Sequence, residues 1–161
     1  IEDSSARKEF LYSLYERQLR KSGAQHVIRF ELYNGNRLKY AIFFATQHEK
    51  GSDVMKQAIW KIAPDGAFKY IGKYSGELNF ADSEPDCMPL MQQLSEQFRG
   101  SGFVDIENII RYVMSDQTDY HSGQIKQRTL KPMELEGLIE AQKGTRNRKN
   151  TYPAGCKLKF L

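Results

Sequence analysis

The segment VIRFELYNGNRLKYAIFFAT, residues 27–46, constrains the fold more than any other part of the chain. Two runs rich in β-branched and aromatic residues flank Asn34 and Gly35. This is the residue pair that a tight hairpin turn takes at its positive-φ positions. Antiparallel strands are therefore expected at 27–32 and 38–46. Phe30 and Leu32 share one face of the first strand. The second, YAIFFA, is an almost unbroken apolar run, the pattern of a strand buried on both faces.

Helical periodicity lies on both sides of this hairpin. Residues 4–22 carry Phe10, Leu11, Leu14, Tyr15 and Leu19 at helical spacing. Ser4 or Ser5 can cap that helix, Arg20 and Lys21 suit the negative end of its dipole, and Gly23 can end it in the left-handed conformation. After the second strand, Ser52 reads as the N-cap of a helix whose stripe is Val54, Met55, Ala58, Ile59 and Ile62. Pro64, Asp65 and Gly66 stop it in a turn. Residues 67–80 read as a loop with a short strand, and 81–89 as a loop or linker. Leu90, Met91, Leu94 and Phe98 fit a short helix ending at Gly100-Ser101-Gly102. A domain boundary is expected there, residues 1–100 against 103–161.

The second part has a different rhythm. Val104, Ile106, Ile109, Ile110, Val113 and Met114 make one helix, and Ile125, Leu130, Met133, Leu135, Leu138 and Ile139 a second helical stretch. Pro132 inside the second must sit in a first turn or force a kink. Gly137 breaks that helix, residues 138–141 enter a strand, 143–155 form a polar basic loop, and 156–160 alternate as a strand. Helix, turn, helix, strand, basic loop, strand is the order of a winged helix-turn-helix, with the loop as the wing. Residues 121–161 hold nine Lys/Arg against three acids, in a chain of formal net charge +4. That excess suits a polyanionic partner, of which nucleic acid is the commonest; a solvated face is the plainer alternative.

A hydrophobic content of 40% supports a packed core. No segment approaches the roughly 20 apolar residues of a membrane helix. The start, IEDSSARKEF, has no initiator Met and no apolar signal core, and reads as a cut edge inside a longer protein. Cys87 and Cys156 could form one disulfide. Two free thiols in a reducing cytoplasm fit better, because no closely spaced cysteine pattern accompanies them.

FLYSLYERQL of the first helix, FFATQHEKGSDVMKQAIWKI from the second strand into its helix, and LKPMELEGLI before the wing together resemble the C-terminal half of the three-Cys-motif partner proteins. Ala45, Thr46, His48, Gly51, Met55, Lys56, Ala58 and Trp60 match the family's pattern. The resemblance implies an α+β fold: the end of a Rossmann-like, methyltransferase-type domain, with an antiparallel hairpin and helices, followed by a winged helix-turn-helix. It also implies a separate three-cysteine-motif protein as partner. S-adenosylmethionine would belong to the full-length protein, because this chain lacks the Gly-rich turn and acidic strand end that such a site needs. No cofactor is expected for these residues alone.

The wing carries the best functional signal. Arg146, Arg148 and Lys149, with Tyr152 beside them, are expected at a hairpin tip. Lys126, Arg128 and Lys131, with Gln124 and Gln127, are expected on the preceding helix facing the same side. Guanidinium groups and amides can read base edges, and Lys and Arg neutralise phosphates, so DNA or RNA is the expected partner. The alternative is a protein-docking module that binds no nucleic acid. Thr46 and His48 sit beyond a strand end, a common place for functional residues, although a turn-forming role explains them as well. No catalytic set emerges, and the histidines and cysteines lack metal-ligand spacing. Trp60 reads as core, and Glu134 and Glu136 as solvated.

Overall fold

The computed structural model describes residues 4–64, 66, 68–71 and 85–161. The fold is mixed α+β with two small sheets, one ordered β2-β1-β3 and the other β4-β6-β5. Cys87 and Cys156 are buried and are not joined in a disulfide.

The hairpin forms as its turn chemistry dictates, one residue later than expected. Strands β1 (His26–Asn34) and β2 (Arg37–Thr46) pair antiparallel, with Asn34 opposite Arg37, so Gly35 and Asn36 make the turn. Gly35 alone has positive φ (55°), and glycine at the first turn position is the requirement of a type II′ connection. A register shift at Leu32/Tyr33 leaves Lys39 without an opposing residue. Strand β3 (Lys69–Ile71) runs parallel to β1 on its other side. Residues 72–84, which include most of the expected loop and linker, lie outside the described residues, as does Asp65 of the expected turn.

Helices lie on both faces of this sheet. Helix α1 (Ser4–Lys21), ended by Gly23 at φ 104°, covers the face bearing Arg29, Glu31 and Phe43. It docks through edge-on contacts of Tyr12 and Tyr15 with Phe43 and through the ion pairs Lys8–Glu31 and Glu9–Arg29. Most of its expected apolar stripe does not pack on the sheet: Phe10, Leu11 and Leu14 are exposed, and Tyr15 stays half exposed while its ring touches Phe43. Strand β2 is likewise not buried on both sides. It pairs only with β1 among the described residues, and Tyr40 and Ile42 stay exposed at that edge.

Helix α2 (Glu49–Ile62) covers the opposite face, with Ile59 against Ile28, Phe30 and Ala63. It starts three residues before the expected cap, with His48 at the N-cap position, and it is rotated from the expected stripe. Val54 and Ile62 are exposed, whereas Ser52, Asp53, Lys56, Ile59 and Trp60 are buried. The rotation follows from a second packing partner. Helix α4 (Ile106–Met114) ends in a turn whose carbonyls need donors, and Lys56 supplies them. Its Nζ donates to the carbonyl oxygens of Val113, Ser115 (2.6 Å) and Thr118 (3.1 Å). Burial lowers the Lys56 ammonium to about 8 against the fields of Asp53, Asp119 and Asp116, so it remains protonated at neutral pH. Trp60 Nε1 donates to Asp119 O at 2.7 Å. The Asp116 carboxylate accepts from Val27 N (2.8 Å) and Arg20 (2.6 Å). Burial would raise that carboxyl, but these bonds hold it below the ordinary range.

Core contacts cross the expected boundary at 100–103. Helix α3 (Met88–Phe98) places Leu90, Met91 and Leu94 in one cluster with Ile106, Ile109, Val113, Leu158 and Phe160, and Trp60 joins the same cluster. Val104 is not helical: β4 (Val104–Asp105) pairs with β6 (Lys157–Phe160), which also pairs with β5 (Ile139–Ala141). The region around Pro132 is resolved by local widening. A 3₁₀ turn (Ser122–Gln124) leads into a π turn (Lys126–Leu130) and then α5 (Lys131–Leu135). Leu130 N donates to Ile125 O and Lys131 N to Lys126 O, both five residues back. The widened turn makes room for the proline ring, which would strike the carbonyl four residues back in a regular helix. Gly137 (φ 73°) then ends the helix as expected.

Candidate nucleic-acid interface

The two segments that carry the expected contacts meet in a groove of about 480 Å³, lined by Lys126, Gln127, Asn147, Arg148, Asn150 and Thr151, with Tyr152 and Pro153 behind. No carboxylate lines it. One wall is the π turn, where Lys126, Gln127 and Arg128 are all exposed. The other is the wing, where Asn147, Arg148 and Lys149 are exposed. Among the described residues, no carboxylate lies within ion-pair distance of Lys126, Arg148 or Lys149. The Lys126 charge acts weakly on Glu107, whose carboxylate accepts from Gly155 N at 2.9 Å.

Three of the expected contact residues are committed elsewhere. Gln124 is 2% exposed, and its Oε1 accepts from His121 N at 2.9 Å while His121 Nδ1 accepts from Gly123 N. That reciprocal pair satisfies the start of the 3₁₀ turn. Arg146 does not reach solvent as a free cation. Its guanidinium forks onto the Glu134 carboxylate, with Nη1 at 2.7 Å from Oε2 and Nη2 on Oε1. Tyr152, 3% exposed, donates its hydroxyl to the same Oε2 at 2.7 Å. Arg146 thus holds the Glu134 carboxyl below its usual range, and burial together with that hydrogen bond pushes the Tyr152 phenol well up. Glu134 is therefore not solvated. Lys131 is half-buried beside the groove.

The clamp has a mechanical role. Residues 142–156 are a long loop between two short strands, and the Glu134 carboxylate ties both its arms, at 146 and 152, to α5. Thr145 adds a local tie, donating to Gln142 O at 2.8 Å, and Thr151 donates to Arg148 O at 2.6 Å. Asn150 takes the left-handed conformation (φ 56°) that asparagine tolerates. The loop tip is held while its two cations point outward.

Thr46 and His48 lie away from this groove. Thr46 Oγ1 accepts from His48 N at 3.2 Å, closing the turn between β2 and α2, and Gly51 leaves room for that hydroxyl. Sequence reasoning missed Glu134, Lys56 and Asp116. For Lys56 a signal existed: Asp53, Lys56 and Trp60 share one helix face, a polar set at core spacing. For Glu134 none did, because its partners lie 12 and 18 residues away in an irregular loop.

No protein-family model, no curated protein and no solved structure matches this chain. Among the described residues, no group of three His, Cys, Asp or Glu side chains is placed to hold a metal ion, and no helix is long and apolar enough to cross a membrane.

Proposed function

We propose that the chain is a nucleic-acid-binding module of the winged-helix type, joined to the C-terminal part of a methyltransferase-like α/β domain of a three-Cys-motif partner protein. The observation that carries this reading is the acid-free groove with Lys126 on one wall and Arg148 on the other. The element order supports it: α3, β4, α4, the 122–135 segment, β5, loop and β6, with a sheet ordered β4-β6-β5, is compatible with a winged helix. The layered α1–sheet–α2 unit with an open edge at β2 supports the Rossmann-like part. S-adenosylmethionine chemistry would be the work of residues upstream of this chain. The test is a fluorescence-anisotropy titration with labelled duplex at low salt. Arg148→Glu with Lys149→Glu weakens binding at least tenfold; absence of binding by the unaltered protein overturns the reading.

Protein docking is the second reading, favoured by the exposed apolar residues Phe10, Leu11 and Leu14 on α1 and Tyr40 and Ile42 on β2. Its occupant is the three-cysteine-motif protein. A pull-down with that protein would survive the wing charge reversals and fail on Leu11→Asp with Ile42→Asp.

A further inference from the structure

We infer that this interface grips the phosphodiester backbone of duplex DNA without reading its bases. The inference rests on the nucleic-acid reading above and adds to it the mode of recognition. Base readout needs two things: side chains with a donor and acceptor, or a forked guanidinium, free to extend, and an element that carries several of them into the groove floor. The first is limited to a few exposed groups, Gln127, Asn147 and Arg148 among them, and the second is missing.

The free forked or amide groups are few. Gln124 spends its carbonyl oxygen on His121 N inside the fold, and Arg146 spends its fork on Glu134. Gln127 is the one exposed carboxamide left on the 122–135 segment.

The element itself is also wrong for base reading. Three consecutive residues, Lys126, Gln127 and Arg128, are exposed on the widened turn. Successive helical residues fan out by about 100° each, so three in a row form a knob rather than one reading face. The regular helix that follows, α5, has only five residues. With the widened turn that leads into it, the helical stretch spans residues 126–135, ten residues or about 15 Å of rise, and half of it is the irregular turn. Its outward positions are Leu135, 68% exposed, and beyond its end Glu136; neither attracts a polyanion.

What the groove does offer suits a phosphate. Lys126 and Arg148 both line it without carboxylates, and the Gln127, Asn147 and Asn150 amides supply neutral donors. Lys149 adds a further charge at the tip. Because a phosphate is the same at every step of the duplex, such contacts fix position and strength but carry no sequence information.

The experiment is a titration of the full chain against a panel of 20-base-pair DNA duplexes: A·T-rich, G·C-rich and mixed, each over a salt series. The expected dissociation constants agree within about threefold across the panel. The slope of log affinity against log salt corresponds to roughly three or four neutralised phosphates, at ~0.9 each. Lys126→Glu with Arg148→Glu weakens every duplex by the same factor, at least tenfold, and flattens the slope, with circular dichroism confirming that the variant is folded. Gln127→Ala changes every affinity in the panel by the same factor and creates or removes no sequence preference.

A tenfold or larger preference for one sequence, abolished by Gln127→Ala, overturns this inference and leaves the nucleic-acid reading standing. Tighter binding of an RNA duplex or a single strand than of any DNA duplex overturns the commitment to DNA. No binding to any nucleic acid at low salt overturns the underlying reading itself.

Discussion

Glu134→Ala removes the carboxylate on which the wing is anchored. Three hydrogen bonds converge on it, two from Arg146 and one from Tyr152. The Arg146 and Glu134 side chains retain 12% and 14% exposure, so the pair is nearly dry. Removing one partner of a buried ion pair costs ~3–5 kcal/mol, chiefly by stranding the other charge. The residual exposure lets Arg146 swing partly toward water, which places the cost near the lower end, about 3 kcal/mol. A domain of this size loses ~2–4 °C in Tm per kcal/mol, so thermal denaturation should fall by roughly 6–12 °C. The double variant Glu134→Ala with Arg146→Ala tests the cause, since it removes the stranded charge. Its Tm should be no lower than that of Glu134→Ala alone. A Tm change under about 1 °C for Glu134→Ala, or costs that add in full, would refute the anchoring argument.

Other perturbations have expected outcomes of their own. The Glu134 carboxyl is held low in the fold, so its stabilisation is present above its unfolded value of 4.5 and lost as pH falls through the folded value. Unaltered protein and Glu134→Ala should therefore converge in Tm in an acid series. Lys56→Met strips donors from three carbonyls and should cost about 2–4 kcal/mol in urea unfolding, given ~1–3 kcal/mol for each orphaned buried group and partial relaxation. Lys56 in the fold titrates near 8 against 10.5 unfolded. Between those values the unfolded chain holds a proton that the fold has lost, so stability rises with pH from about 8 to 10; that rise should be absent in Lys56→Met. Gly66→Ala places a Cβ 2.8 Å from the Trp60 ring at φ +70° and should cost about 2–3 kcal/mol by calorimetry. A fragment of residues 103–161 should give an unfolded circular dichroism spectrum, since its core is completed by Leu90, Leu94 and Trp60; a folded spectrum would contradict the shared core.

What was legible in the sequence was what local chemistry decides. Gly35 announced the hairpin, Gly23 and Gly137 the helix ends, and Pro132 a disturbance that the π turn absorbs. The apolar periodicity placed α3 and α4 to within two residues. The failures share a cause: a side chain's role was decided by a distant partner. Lys56 and Asp53 lay outside the apolar stripe expected for α2, yet the former feeds carbonyls at the end of α4 and the latter accepts from Ser122, 69 residues on. The α1 stripe looked like a core face, but the sheet surface beneath it carries Arg29 and Glu31, which hold the helix by charge. At the candidate interface, Lys126, Gln127, Arg148 and Lys149 are exposed. Arg146 and Tyr152 are not: only a folded loop reveals that an acid twelve and eighteen residues away has claimed them, and Gln124 is turned inward to cap His121 N.

The unshielded margin of β2 has a practical consequence. From Tyr40 to Thr46 it presents seven uncharged residues with no proline, and its row of amide and carbonyl groups has no neighbour among the described residues. Such a margin templates growth of further strands, and Arg37 and Lys39 guard only its near end. Concentrated samples will tend to precipitate through this seam, more so as salt screens those two charges, and a lysine in place of Ile42 would keep them clear.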